Sequence, residues 1–293
     1  VPELPEVEVT RRELEPRLLG RVIERVRTTV PSYFFITPPA TLRKRLVGRS
    51  GVGLSRFGKY LVLELDDGGR VLLHLGMTGQ LFFTGGSSVA LLSSLRGVTL
   101  APARQEDGFL PDAHTHVVLE FADRGPSLVF RDVRKFGKVE FLRTGAPSAR
   151  LDKLGVDALR ATGADLYAAA SERIIAVKSL LLDQSVLAGV GNIYADEALF
   201  LSGIHPKRRS RRLTAAECET LVAAVQGVML RSIETGGSSI SDYVRPSGAR
   251  GSYQNERRVY GRNAEACDTC KTPIRRIVLG QRSTHFCPTC QRR

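Results

Sequence analysis

No stretch of this chain is apolar for long enough to cross a bilayer as a helix. The strongest apolar runs, Val71 to Leu75 and Leu180 to Leu182, fall far short of the roughly 20 residues such a span needs. The opening, Val1-Pro2-Glu3-Leu4-Pro5-Glu6, lacks the basic region and apolar core of a secretory leader, so a cytoplasmic protein is expected. Acidic residues are in short supply: 30 Asp and Glu face 43 Lys and Arg, a formal charge of +13. That imbalance concerns partners rather than fold, and it points to a polyanion: DNA, RNA or an anionic membrane. Cysteine is nearly absent outside the last 27 residues. Of five cysteines, Cys218 stands alone in a helical pattern, where it suits a small buried hydrophobe. The other four form two regular pairs, which favours metal in a reducing compartment over a disulfide scaffold. Internal repeats and heptad runs are missing too, which excludes solenoids and coiled coils.

What is present suits a packed protein of more than one part. The chain has 293 residues, 42% of them hydrophobic, enough for two domains or for one domain with a small module. Val7 to about Leu19 carries helical spacing. The period then changes. Val22 to Val26, Tyr60 to Leu65, Val71 to Leu75, Thr115 to Phe121, Ser127 to Phe130 and Lys138 to Leu142 are β-type segments, broken by turns such as Asp66-Asp67-Gly68-Gly69. Many short strands and few helices predict an antiparallel β-sandwich or barrel-like domain, with an N-terminal helix, over 2–142. Residues 84–112 are irregular and are expected as a long surface loop with a strand or two. Residues 143–170 are expected as a linker into helices at Ser171–Leu182, Gly191–Phe200 and Thr214–Glu234. The last has the capping pair Thr214 and Glu217 and is stopped by Gly236-Gly237. Ser247 to Ser252 suits an exposed mobile loop. A second domain over 143–258 and a module over 259–293 complete the division.

Cys267-x2-Cys270 and Cys287-x2-Cys290 are separated by 16 residues. Each pair can grip one ion through a tight knuckle, and two knuckles make a closed tetrahedral thiolate site, structural rather than catalytic. One zinc ion is expected, replacing the core that so short a module cannot build. The segment between the pairs has two β-like arms around Gly280, which predicts a two-stranded ribbon. Between Val259 and Arg293, seven Lys or Arg (Arg262, Lys271, Arg275, Arg276, Arg282, Arg292, Arg293) face Glu265 and Asp268 alone. A positive rigid ribbon suits a clamp on backbone phosphates. A zinc-containing protein-interaction factor is the other reading of such a finger.

Further stretches carry a family resemblance. They are Pro2-Glu3-Leu4-Pro5-Glu6-Val7-Glu8, Gly58-Lys59-Tyr60-Leu61, His74-Leu75-Gly76-Met77-Thr78-Gly79 and Arg134-Lys135-Phe136-Gly137. Asp183-Gln184, Val190 to Glu197, Gly203-Ile204-His205-Pro206 and the finger ending Cys290-Gln291-Arg292 follow. In this order, over nearly the whole chain, they resemble the bacterial formamidopyrimidine-DNA glycosylases, which are related to endonuclease VIII. Leu4 favours the formamidopyrimidine branch. The resemblance implies a β-sandwich domain, a helix–two-turn–helix domain and a four-Cys zinc finger, with duplex DNA bound between them. It also implies excision of oxidised purines and formamidopyrimidines followed by strand cleavage. A monomer with no obligatory protein partner and no membrane is expected, since one chain supplies every part of the DNA cleft.

The resemblance assigns roles residue by residue. Pro2 would be the amine nucleophile once Val1 is gone, Glu3 the proton donor and relay, Glu6 an active-site carboxylate that helps place the sugar, and Lys59 the neutraliser of the lesion phosphate. A terminal amine, with a reference pKa near 8, is neutral more often at pH 7 than lysine. Met77, Arg134 and Phe136 would fill the hole left by the everted nucleotide. Asn192 and Arg282 would hold phosphates, one of His114 and His116 would touch another, and the Ser247 to Tyr253 loop would cover the extruded base. Val1 departs from the pattern and is read as a translated GTG start codon, trimmed in the mature protein. If it stayed, Pro2 nitrogen would be an inert tertiary amide, and the chain a damaged-DNA-binding protein without catalysis. An endonuclease VIII-like enzyme for oxidised pyrimidines is the remaining alternative. Lys135 stands where a second arginine is common, which keeps charge but loses a bidentate fork.

Overall fold

The chain folds as two units, Val1–Ser148 with Thr235–Ser252, and Ala149–Glu234 with Tyr253–Arg293. The computed structural model describes residues 2–85, 90–92, 100–102, 111–239 and 243–292, with backbone alone for 90–92 and 100–102. Val1 and most of the 84–112 stretch lie outside the described residues.

The first unit starts with α1 (Leu4–Leu18), entered through extended Glu3 with a proline in the first turn, where a missing N–H costs nothing. β1 (Ile23–Thr28), α2 (Pro39–Leu46), β2 (Gly51–Phe57), β3 (Tyr60–Leu65), β4 (Arg70–His74) and β5 (Gly79–Phe83) follow. Next come a short antiparallel pair, β6 (Ala90–Leu92) and β7 (Leu100–Pro102), then β8 (Thr115–Phe121), β9 (Leu128–Asp132) and β10 (Lys138–Leu142). The larger strands make two four-stranded sheets, ordered β1-β8-β9-β5 and β10-β4-β3-β2, antiparallel throughout. One core takes Leu61 and Leu73 from one sheet and Leu119 and Phe130 from the other, with Leu14 and Phe34 among them. This is the expected sandwich. α2 and β2 carry no clear sequence signal: α2 is a short helix of eight residues with three consecutive cations, Arg43 to Arg45, and β2 opens Gly-Val-Gly at a bulge.

The second unit is mainly helical. β11 (Val156–Asp157), α3 (Gly163–Ser171), α4 (Val177–Leu182), β12 (Leu187–Ala188), α5 (Asn192–Leu201) and α6 (Ala215–Glu234) precede the ribbon of β13 (Arg275–Leu279) and β14 (Arg282–Phe286). Two expectations change here. The 143–170 stretch holds α3, nucleated by the reciprocal Thr162–Asp165 capping box. The predicted Ser171–Leu182 helix begins only at Val177. Before it, the backbone of 175–177 pairs with 208–210 (Ser210 N–H to Ile175 C=O, 2.8 Å; Val177 N–H to Arg208 C=O, 2.9 Å), and those bonds replace helical ones. Cys218 is fully buried in α6 as expected, and burial pushes its thiol up to about 11.

Candidate functional site

The head of α1 is fixed by a buried carboxylate. Glu6 is 1% exposed. Its Oε2 accepts the Glu3 backbone N–H at 2.9 Å and its Oε1 accepts the Ser238 N–H at 2.8 Å. Glu3 and Glu6 form a reciprocal capping box, so the same two residues end the helix and set where Pro2 begins. Pro2 and Glu3 are both buried. The segment after α6 belongs to this assembly. Gly237 adopts φ +89, and a Cβ there would come within 2.9 Å of the Tyr243 ring and 3.2 Å of Glu6 Cγ, so only glycine lets the turn approach. Farther along, Arg245 pairs with Glu13 of α1, whose other oxygen accepts the Ser247 N–H at 2.9 Å. Gly251 N–H donates to Ser239 Oγ and Ser252 N–H to Thr235 C=O. The Ser247–Tyr253 loop thus stands on a base bonded to α1.

Lys59 sits at the tip of the β2–β3 hairpin. Gly58 and Lys59 form its two-residue turn between paired Phe57 and Tyr60, with Gly58 at φ +55, the position where a type II′ turn calls for glycine. Arg56 anchors the tip. Its guanidinium donates to Gly58 C=O at 3.1 Å and to Glu8 of α1 at 3.2 Å. Glu8 is also held by Arg11 and Arg12, at 3.0 and 2.8 Å. Burial opposes its charge, but the guanidiniums prevail and hold its carboxyl below the usual range. Lys59 is half-buried. Pro2, Glu3 and Lys59 therefore rest on one helix through Glu6 and Glu8. Across the sheet Tyr60 pairs with His74, whose ring lies 4.8 Å from that of Tyr60 and whose Nδ1 accepts the Gly76 N–H at 3.1 Å.

Met77 and the pair Arg134 and Phe136 lie on two loops that meet backbone to backbone. Gly76, at φ +63, would place a Cβ 2.5 Å from Gly137 N and from Phe136 C. Met77 and Arg134 are half-buried, Phe136 is 43% exposed, and the Arg134 guanidinium lies 4.7 Å over the Phe136 ring. The structure brings these three together. His116 is buried beneath the base of the Arg134 loop, 1% exposed, with Nδ1 3.1 Å from Thr29 Oγ1 and Nε2 2.9 Å from Asp132 C=O. Burial depresses its pKa, consistent with a neutral ring that donates from Nε2. His114 keeps a partly open side chain.

The second unit joins Asn192 to the ribbon. Asn192 opens α5, and its Nδ2 donates to Ser283 C=O at 3.0 Å, next to exposed Arg282. The ribbon turn, Gly280 at φ +55 and Gln281 at φ +60, is of type I′. Behind it, fully buried Lys178 pairs with Asp196 at 2.7 Å and donates to Ser283 C=O and Thr284 Oγ1, while Asp196 accepts the His285 N–H at 2.8 Å. Glu197 takes three successive N–H groups, from Arg258, Val259 and Tyr260, at 2.7 to 3.0 Å. α5 thus holds both the entry to the finger and its second strand. Arg262 takes up Glu265 and Asp268, at 2.8 and 2.7 Å, and Arg275, Arg276 and Arg282 have no acidic partner among the described residues. Lys207, Arg209, Arg211 and Arg212 add an exposed cationic stretch on the same unit.

The four terminal cysteines fit a metal. Their sulfurs lie within 4.8 Å of one another, with Cys267 to Cys290 at 3.9 Å and Cys270 to Cys287 at 3.4 Å. Tetrahedral zinc with bonds of about 2.3 Å needs sulfurs about 3.8 Å apart. One structural zinc, held by Cys267, Cys270, Cys287 and Cys290, would cross-link the two knuckles and leave no open coordination position.

Sequence reasoning missed the residues that hold others in place: Glu8, Glu13, Arg56, Thr78, Asp132 and Lys178. A usable signal existed for Asp132, an acid closing the apolar run Leu128-Val129-Phe130, and for Lys178, a cation inside Ala176-Val177-Lys178-Ser179-Leu180. Glu8 has local partners in Arg11 and Arg12, but its tie to Arg56, like those of Glu13 to Ser247 and Thr78 to Asp132, spans 48 residues or more and leaves no local trace.

Comparison with known proteins agrees with this geometry. Family models described as the formamidopyrimidine-DNA glycosylase N-terminal domain, the formamidopyrimidine-DNA glycosylase H2TH domain, and the zinc finger found in FPG and IleRS match residues 1–139, 154–244 and 264–293. The chain is 41% identical over 293 residues to a formamidopyrimidine-DNA glycosylase of Solibacter usitatus, covering 100% of both chains. It is also 41% identical to the enzyme of that name from Paracoccus denitrificans, covering 99% of this chain and 100% of the other. Among solved structures, MutM (Fpg) of Thermus thermophilus matches with TM-score 0.81 and 36% identity, over 99% of this chain and 98% of that one. Lactococcus lactis Fpg in complex with DNA containing an abasic site matches with TM-score 0.84 and 33% identity over 100% of both chains. With sandwich, helical domain and four-cysteine finger all matched over their length, the chain belongs to the formamidopyrimidine-DNA glycosylase family.

Proposed function

We propose that this protein is a bifunctional DNA glycosylase and abasic-site lyase that removes oxidised purines, 8-oxoguanine and formamidopyrimidines, from duplex DNA. The observation that carries the reading is the Pro2-Glu3 head of α1, buried and fixed by Glu6 in a member of this family. Relatives crystallised with Fapy-dG DNA and with abasic-site DNA support the substrate class.

The chemistry begins with Val1 removed, so that Pro2 carries a free secondary amine. Its lone pair attacks the sugar C1′, the glycosidic bond breaks, and the base leaves with the bonding electrons and gains a proton. Glu3 protonates O4′ as the ring opens. The nitrogen loses its proton and collapses to an iminium, which acidifies the C2′ hydrogen. Loss of that proton expels the 3′ phosphate, and a second elimination expels the 5′ phosphate. Lys59 neutralises charge on the lesion phosphate. Glu6 acts by positioning, since backbone N–H groups occupy both its oxygens.

Extrusion of the nucleotide costs a few kcal/mol. Met77 and Phe136 fill the vacated space and Arg134 offers donors to the orphaned base. Asn192 and Arg282 hold phosphates beside the lesion, with the zinc ribbon keeping Arg282 in place. Of the two histidines, His114 is the one with surface to offer DNA. The Ser247–Tyr253 loop covers the extruded base. The working parts are the sandwich over 2–142, the helical domain over 143–258 and the finger over 259–293, in a cytoplasmic monomer.

Excision assays on duplexes carrying 8-oxoguanine opposite cytosine, or thymine glycol, test the reading. Faster release of 8-oxoguanine is expected. Preference for thymine glycol would assign the protein to oxidised pyrimidines, and binding without release of either base would make it a damage-binding protein.

A further inference from the structure

Arg134 can read an orphaned base only if its main chain is held still, because four side-chain torsions already separate its guanidinium from the backbone. The loop that carries it does not relax into that shape unaided. Lys135, the next residue, sits at φ +58, a left-handed conformation that side-chain-bearing residues rarely adopt and that surrounding contacts must enforce.

Three side chains from three parts of the first unit supply the enforcement. Arg134 N–H lies 3.1 Å from Thr78 Oγ1 and 3.2 Å from Asp132 Oδ1, and the threonine hydroxyl itself donates to Asp132 Oδ1 at 2.5 Å. The second Asp132 oxygen accepts the Gly137 N–H at 2.7 Å. One fully buried carboxylate therefore closes both ends of the 133–137 turn. Through Thr78 it also buckles that turn to the residue following Met77. On the next peptide, the Tyr33 hydroxyl donates to Arg134 C=O at 2.8 Å.

Tyr33 differs from the other two in being open. It is 57% exposed, and the Lys138 ammonium lies 4.8 Å over its ring. No burial requirement accounts for so large an aromatic in water beside Arg134 and Lys138. Its hydroxyl can be deleted without stranding a buried group, since Arg134 C=O would turn to solvent. Asp132 and Thr78 set the fold of the loop, whereas Tyr33 trims the direction of the Arg134 peptide.

We infer that Tyr33 is a specificity-positioning residue, and that the Tyr33–Arg134–Asp132–Thr78 grip makes discrimination of the base opposite the lesion possible. The inference rests on the proposed role of Arg134 as reader of that base. The test is single-turnover excision of 8-oxoguanine placed opposite cytosine, adenine, guanine and thymine, for the parent, Tyr33→Phe, Asp132→Asn and Arg134→Ala. Cleavage of an abasic-site duplex and the melting temperature are measured alongside.

Tyr33→Phe is expected to reduce the preference for cytosine by about three- to tenfold, the weight of one hydrogen bond. Abasic-site cleavage and melting temperature should stay at parental values. Asp132→Asn, which turns a donor toward Gly137 N–H or Thr78, should reduce the preference further and lower the melting temperature. An undiminished preference in Tyr33→Phe, with Arg134→Ala abolishing it, would overturn the inference while leaving the Arg134 reading intact. An undiminished preference in Arg134→Ala would sink the reading itself. An equal loss opposite all four bases would also overturn the inference, because Tyr33 would then be a general strand contact.

Discussion

Replacing Glu6 with glutamine keeps the side chain's volume and removes its charge, so the perturbation opens no cavity. The carboxylate now serves two N–H donors, Glu3 at 2.9 Å and Ser238 at 2.8 Å, in a site closed to water. A carboxamide offers one acceptor, so one of those donors must face an NH2 group. Loss of one charge-assisted hydrogen bond, with a buried N–H left unmet, costs about 2–4 kcal/mol. In a unit of this size each kcal/mol moves the melting point by about 2–4 °C, which gives a drop of roughly 4–16 °C for the first unit. Calorimetry reads the drop. Abasic-site cleavage, followed well below the transition, reads the chemical consequence: a slower single-turnover rate at unchanged affinity for undamaged duplex, because Pro2 and Glu3 lose their anchor. Glu6→Asp, too short to span both donors, should behave similarly. A Glu6→Gln protein with parental melting point and parental rate would refute the view that Glu6 is a buried bridge.

Other outcomes follow from the same structure. Arg56→Met, which frees the Lys59 hairpin from Glu8, should slow abasic-site cleavage roughly ten- to a hundredfold while duplex affinity stays within about twofold; an equal loss in both would argue against a positioning role. Arg282→Ala should lower the slope of log affinity against log salt by about 0.9 in fluorescence anisotropy, and an unchanged slope would remove Arg282 from the phosphate contacts. Chelation should release one zinc ion per chain and abolish duplex binding while the sandwich melts as before; binding that survives metal loss would contradict a structural site. His116 is held below 6.5 by burial, so the unfolded chain takes up its proton first. The stability present above pH 6.5 should then be lost as pH falls through that value toward the lower folded one. Melting curves at pH 7.5 and 5.5 should therefore diverge more for the parent than for His116→Gln, and equal shifts would speak against a buried neutral ring.

The legible parts of this protein were those written in short-range patterns. Two knuckles at fixed spacing announced the finger, period-two segments announced the sandwich, and Thr214 with Glu217 announced α6. α3 escaped because its capping box, Thr162 and Asp165, precedes only nine helical residues in a stretch resembling a linker. The division at Ser171–Leu182 escaped because it depends on strand-like pairing with residues 208–210, about thirty positions away. The named site residues came from motifs, but the ties between them did not. Glu6 to Ser238, Arg56 to Glu8, Tyr33 to Arg134 and Asn192 to Ser283 cross separations of 48 to 232 residues. Neither propensity nor periodicity encodes such contacts, since each depends on the finished fold.

The most direct measurement of the chemistry joins intact-protein mass spectrometry to borohydride reduction on 8-oxoguanine duplex. A mature chain that starts at Pro2 should give a covalent protein–DNA adduct attached at that residue. A chain that retains Val1 and still cuts the damaged strand, or one that begins at Pro2 and cuts without ever being trapped, would contradict an attack by the proline amine.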